Sequence, residues 1–288
     1  LHSFPTRRSS DLVVAVIALI LLGVRYAPTP PPSSAVVGAM GRGPTVVLVH
    51  GLGSDYNDWL PTARDLARDH RVVLVELPGH GITPMATPFT LEQAAIALDR
   101  AIVEESPHQP VVLVGHSIGG LVAAFTASRS PQHVRELVLV ETAIAPQSTK
   151  AEHDTLFAML DRDWSGTLHD IYRAFGRDSA QGDMLWREAL QMPHPDMRQW
   201  INVAVTADLT REASGLTMPV LAVLSTRSWE KDETWTHAST ALGYHGIPHL
   251  TMVRFEDCGH FLMLDRPREL ASVVRRFCAP SDSVMALR

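Results

Sequence analysis

The chain carries only two cysteines in 288 residues, Cys258 and Cys278. Two thiols can build neither a disulfide framework nor a four-cysteine zinc site. Aromatic residues are scarce at 6%, and like charges gather into no long run. The 25 basic residues are outnumbered by 31 acidic ones, for a net charge of −6. A protein that follows a phosphate backbone needs a basic surface, so no nucleic-acid partner is expected. No Gly-rich phosphate loop or dinucleotide fingerprint occurs, and no cofactor is expected. His245 and His249 are four apart, but Gly246 and Pro248 between them break a helical pair of ligands, so no metal site is expected either. This composition also excludes collagen, coiled coil and a disordered chain. What is present is 45% apolar residues, over a length that buries the core of one large α/β domain or two small ones.

The first residues need separate treatment. Leu1–Leu12 (LHSFPTRRSSDL) has no initiator Met and is similar to the frame translation of a common short-read sequencing adaptor, so it is set aside from fold reasoning. Val13–Val24 (VVAVIALILLGV) is unbroken and apolar. A bilayer-spanning helix takes about 20 residues, so this run reads as the surviving end of a signal peptide or anchor. Residues 25–44, with the Pro/Ser-rich APTPPPSS at their centre, read as a linker. The expected location is therefore extracytoplasmic, secreted or tethered to a membrane through the N-terminal apolar segment.

From Thr45 the chain alternates short β-branched runs with helical patterns, as a parallel sheet covered on both faces does. The strand candidates are Thr45–Val49, Val72–Glu76, Val111–Val114, Leu137–Val140, Val220–Leu224 and Leu250–Arg254. Thr90 and Gln93 give a capping-box signature ahead of a helix reaching Glu105. Some 70 residues between Ala145 and Leu216 show helical pattern and no good strand. A structureless loop that long is rare, so the segment is predicted to be a helical cap over 146–216, with core at 45–145 and 217–279. Its aromatic residues, Phe157, Trp164, Tyr172 and Trp186 among them, suit the lining of an apolar substrate pocket as well as ordinary core.

Gly115-His116-Ser117-Ile118-Gly119 follows a strand and opens a helix. In that context G-x-S-x-G marks a strained turn that exposes the serine hydroxyl at the sheet's edge. With it stand His50-Gly51-Leu52-Gly53 after the first strand, Glu76-Leu77-Pro78-Gly79-His80-Gly81 after the second, and Asp257-Cys258-Gly259-His260 after the last. In these four motifs, over roughly Thr45–Phe277, the chain resembles the α/β-hydrolase superfamily.

The resemblance implies an α/β fold: a mostly parallel central sheet with helices on both faces. The helical cap would follow the sixth strand, counting the two extra strands that family members place first; only Ala35–Val37 could supply one of those. It also implies roles. Ser117 would be the nucleophile and His260 the base. The backbone N–H groups of Leu52 and Ile118 would form the oxyanion hole. His50, His80 and His116 read as turn-stabilising residues. The acid departs from the family pattern, because the residue nine after Pro219 is Ser228. Asp232, 28 residues before His260, is placed slightly ahead of Glu141, which ends the preceding strand. A serine at the elbow excludes the dehalogenase and epoxide-hydrolase branches. The function implied is hydrolysis of a small carboxylic ester or thioester, with an apolar acyl group, through a Ser-His-acid triad and an acyl-enzyme. A C–C bond hydrolase or cofactor-free perhydrolase would share the triad. A hydrolase-fold ligand receptor with slow turnover is the alternative from another class.

Overall fold

A computed structural model describes residues 35–279 of the chain. The adaptor-like stretch, the apolar run Val13–Val24 and the Pro/Ser-rich residues up to 34 lie outside the described residues. Among the described residues no helix is long and apolar enough to cross a membrane.

Among the described residues seven strands form one sheet: β1 (Ala35–Met40), β2 (Thr45–Val49), β3 (Arg71–Glu76), β4 (Val111–His116), β5 (Val134–Val140), β6 (Val220–Ser225) and β7 (Leu250–Phe255). Their order across the sheet is β1-β3-β2-β4-β5-β6-β7. All neighbours are parallel except β1, which runs antiparallel to β3 at the edge. The reading of 25–44 as linker is corrected here: residues 35–40 are a strand, because alternate side chains of this apolar stretch can pack on the sheet while its backbone pairs with β3. The central strands are buried on both faces, Val111–His116 throughout, which is why they read as continuous apolar runs. Val47, Val49 and Leu113 face one half of the core, and Val46, Leu48 and Val112 the other.

Helices cover both faces. They are α1 (Leu60–Leu66), α2 (Leu91–Glu105), α3 (Ile118–Arg129), α9 (Trp235–Leu242), α10 (Leu262–Asp265) and α11 (Pro267–Cys278). Between β5 and β6 lie α4 (Lys150–Arg162), α5 (Trp164–Phe175), α6 (Ser179–Ala189), α7 (His194–Thr206) and the short α8 (Thr210–Ser214). The cap thus follows the fifth described strand. Thr90 does cap α2, its Oγ1 accepting from Gln93 N at 3.1 Å, but the reciprocal half of that box is not made and Gln93 Oε1 is buried without a partner. A complete capping box starts α4, where Thr149 and Glu152 bond each other's backbone N–H.

The chain reverses direction across the sheet at β2, so the loops after β2 and β4 diverge and leave a crevice at their carboxyl ends. Trp200 of α7 closes the cap onto that region. It is fully buried, its Nε1–H donates to Pro78 O at 2.8 Å, and its ring packs on Phe89 with centroids 4.5 Å apart. Trp200→Ala leaves a large cavity at this joint and leaves Pro78 O with His80 Nδ1–H as its remaining donor. It is expected to cost about 3–5 kcal/mol, read as a lower urea midpoint in an unfolding curve monitored by circular dichroism.

Candidate active site

Ser117 stands between the last residue of β4 and the first of α3, with φ 52° and ψ −120°. A serine adopts that backbone only where its surroundings enforce it. Here Ser117 N donates to Val140 O at 3.0 Å, while Ser117 O accepts from Gly120 N and Leu121 N as the first turn of the helix. The neighbouring glycines are required by close approach. A Cβ on Gly119 would run into the backbone of Val49 and His50, and one on Gly115 would run into Gly119 and Gly120. The hydroxyl is thereby held at a helix N-terminus, where negative charge is favoured.

His260 lies on the loop after β7, 9% exposed. Its Nδ1 is 3.2 Å from Glu141 Oε2. Glu141 ends β5 with φ 47° and a fully buried carboxylate. Besides the imidazole, that carboxylate accepts from Ser225 N and from Ser228 Oγ, the latter at 2.8 Å. A buried carboxylate is costly unless donors surround it, and three do. Glu141 therefore takes the position beside the imidazole for which Asp232 is placed ahead in the sequence reading. Asp232 is exposed on the loop between β6 and α9 and makes no hydrogen bond to His260. Ser228, nine residues after Pro219 where the family places its acid, supplies instead a hydroxyl that holds the acid arriving from the next strand.

With Nδ1 on Glu141, Nε2 of His260 is free of protein partners and buried. It faces a cavity of about 270 Å³ shared with Ser117, Ile118, Glu141 and Phe175. The imidazole stacks on Phe175 at 4.6 Å between centroids, and its backbone N–H donates to Phe175 O at 2.8 Å. His116 braces it from below, its ring 4.7 Å away and its Nε2–H donating to His260 O at 2.9 Å. An imidazole oriented by a carboxylate, lining the same cavity as a hydroxyl on a helix N-terminus, can take that hydroxyl's proton once the two come within hydrogen-bond reach and return it to a leaving group.

The loop after β2 is held from two sides. Gly53, at φ 62°, donates its N–H to His80 Nε2 at 3.2 Å, and Leu52 O accepts from Tyr172 OH at 2.8 Å. Both groups of the Leu52–Gly53 peptide are thus spoken for. The N–H groups of Leu52 and Ile118 have no hydrogen-bond acceptor among the described residues. His50 fixes the same loop, donating from Nδ1 to Gly51 O and accepting from Leu77 N at Nε2.

The pocket residues expected from the sequence do not line this cavity. Tyr172 braces Leu52 from α5. Phe157 stacks on His153 of its own helix and lies under Arg198 of α7, Trp164 meets His194 at a tilt, and Trp186 meets His169 edge-on while bonding Ser165 O. These rings serve the packing of cap helices on one another, because an amphipathic helix puts its aromatics wherever its neighbours are. Phe175, Leu121, Ala204, Val205 and Leu242 form the apolar wall instead. Phe175 stood among the aromatics of the insertion in the sequence; nothing in its spacing set it apart from the others. Among the described residues no group of three or more His, Cys, Asp or Glu is arranged to hold a metal ion.

Burial holds the supporting histidines neutral. His50 is pushed down to about 4, and His80 and His116 fall well below the ordinary imidazole range, in each case chiefly by desolvation. Unfolded imidazoles titrate near 6.5. Between about pH 4 and 6.5 the unfolded chain therefore binds protons that the folded one refuses, and stability falls as pH falls through that window. His50 alone contributes about 3 kcal/mol to this loss. Asp58 and Glu188 act in the opposite sense: burial raises them to about 6 and about 8, so they favour the folded state on acidification, against the three histidines. Urea midpoints are expected to fall between pH 6.5 and pH 5, and to fall more steeply in Asp58→Asn.

A profile for the alpha/beta hydrolase family matches residues 46–273 of the chain. The pimeloyl-[acyl-carrier protein] methyl ester esterase of Xanthomonas axonopodis pv. citri is 28% identical over 263 residues, covering 84% of this chain and 98% of that protein. Its counterpart from Aeromonas salmonicida is 28% identical over 268 residues, covering 85% and 99%. Among solved structures, an esterase from Exiguobacterium antarcticum superposes with a TM-score of 0.72 at 17% identity, covering 86% of this chain and 99% of that one. With its mostly parallel sheet, its strained serine turn and a profile match over most of its length, the chain belongs to the alpha/beta hydrolase family.

Proposed function

We propose that this protein hydrolyses carboxylic esters or thioesters through a Ser117–His260–Glu141 triad and an acyl-enzyme. The observation that carries this reading is the convergence of the three side chains on one cavity, with the carboxylate on the far nitrogen of the imidazole. Ser117 attacks the acyl carbon as His260 Nε2 takes its proton. The oxyanion is met by the N–H groups of Leu52 and Ile118, at about 3 kcal/mol each. The alcohol or thiol leaves with the proton that His260 returns, and water then repeats the sequence to release the acid. Glu141 keeps the imidazole in the tautomer whose Nε2 accepts. Relatives named as methyl ester esterases over nearly their full length support the choice of ester as substrate class. The apolar wall of the cavity suits an apolar portion of the acyl group. Export or tethering is supported by the composition of Val13–Val24 alone.

Ser117→Ala is expected to abolish both p-nitrophenyl ester turnover and covalent labelling by a fluorophosphonate while leaving circular dichroism unaltered. Labelling that persists in this variant would place the nucleophile elsewhere.

Glu141→Gln removes the carboxylate that holds the imidazole and stabilises its protonated form, and is expected to lower kcat by about three to four orders of magnitude. Asp232→Asn should keep most of its rate. Assaying the two variants side by side at saturating ester checks both, and the reverse ordering would remove Glu141 from the triad.

A further inference from the structure

The cavity that holds Ser117 and His260 has one cationic side chain in its lining, Arg227, from the loop after β6. Its guanidinium lies over the Phe175 ring, 5.0 Å from the centroid, on the same ring that stacks with His260. One N–H of the guanidinium donates to Ala174 O at the end of α5. No carboxylate stands within ion-pair distance of it among the described residues. The nearest in the cavity, Glu141, has its oxygens taken by Ser225 N, Ser228 Oγ and His260 Nδ1. The remaining donors of a five-donor fork therefore have no protein acceptor. Arg227 lines the cavity while remaining exposed to solvent, and its guanidinium stays charged at neutral pH. An anion entering the cavity would meet a charged fork whose remaining donors are free to bind it in place of water.

We propose that Arg227 forms an anion subsite beside the reacting centre, so that the preferred substrates are esters bearing a carboxylate or similar anionic group beyond the scissile bond. This rests on the ester-hydrolase reading above and narrows it. The stack places the cation: Phe175 fixes the imidazole on one contact and the guanidinium on another, and the anchor to Ala174 O holds the fork against the end of α5. The rest of the lining offers apolar Leu121, Ala204, Val205 and Leu242, which suit the chain joining the ester to the charge.

The test uses the full chain and two matched pairs of esters. Monomethyl adipate against methyl hexanoate puts the charge on the acyl side; 4-acetoxybenzoate against 4-acetoxybenzamide puts it on the alcohol side. Wild type is expected to prefer the anionic member of one pair in kcat/KM, chiefly through KM. Arg227→Gln should reduce that preference by about tenfold to a hundredfold, with Arg227→Lys between the two because it keeps the charge and loses the fork. The pair that responds tells which side of the ester carries the charge. Equal kcat/KM for both members of both pairs in wild type overturns the subsite. So does an Arg227→Gln variant that slows anionic and neutral esters alike, since that marks Arg227 as a brace for Phe175 and α5. A wild type that hydrolyses none of the four and is not labelled by a fluorophosphonate overturns the ester-hydrolase reading, and the subsite with it.

Discussion

The hydrogen bond from His260 to Glu141 sets the terms for the rest of the molecule. A carboxylate with no solvent exposure must be surrounded by donors, and these come from separate stretches of chain: Ser225 at the end of β6, Ser228 three residues later, and His260 after β7. They meet only if β5, β6 and β7 end level with one another. The parallel register provides this, with Val140 beside Val223 and Ser225 beside Phe255. Packing the sheet and assembling the site are in this sense a single requirement. A slip of one residue in β6 would turn every one of its side chains to the other face and withdraw the donors from Glu141.

The cap does more than cover the crevice. The last turn of α5 reaches both halves of the site. Tyr172 bonds the carbonyl of Leu52, Phe175 O accepts from the backbone of His260, and the Phe175 ring stacks on the imidazole. Gly259 can approach α5 this closely only because it lacks a Cβ, which would meet Phe175 O and Arg177 N. Rigidity of the reacting groups therefore comes from a helix inserted between the strands that carry them. A cap motion that withdrew α5 would loosen the β2 loop and the histidine loop together.

Three fully buried histidines support this geometry without chemistry of their own. His50 and His80 act as rigid brackets between the loops after β2 and β3, each accepting a backbone N–H on one nitrogen and donating from the other. His116 ties β4 to the carbonyl of His260. A neutral imidazole suits this work because it presents one donor and one acceptor in a fixed plane. The same burial that makes them good brackets makes the fold sensitive to acid.

The sequence by itself determined a good deal. Apolar, β-branched runs named six of the seven described strands, the central ones most clearly because strands covered on both faces must be apolar throughout. The G-x-S-x-G turn marked Ser117, because few residues tolerate that backbone and glycines must flank it. His260 was legible from its place after the last strand. β1 was legible only as the possibility that Ala35–Val37 supplies a strand, because a short edge strand beside a Pro/Ser-rich segment has the composition of a linker until its partner is known. The acid was legible only as a choice between Asp232 and Glu141. Spacing along the chain favours the loop, while the carboxylate's partners come from β6 and β7, 84 and 119 residues away. The cap aromatics were legible as a group and not one by one, since helical periodicity says which face is apolar and not which neighbour that face meets. Local propensity and pattern wrote the strands and the serine turn. The partner of His260 and the wall of the cavity depend on contacts between distant segments, and only the folded chain brings those together.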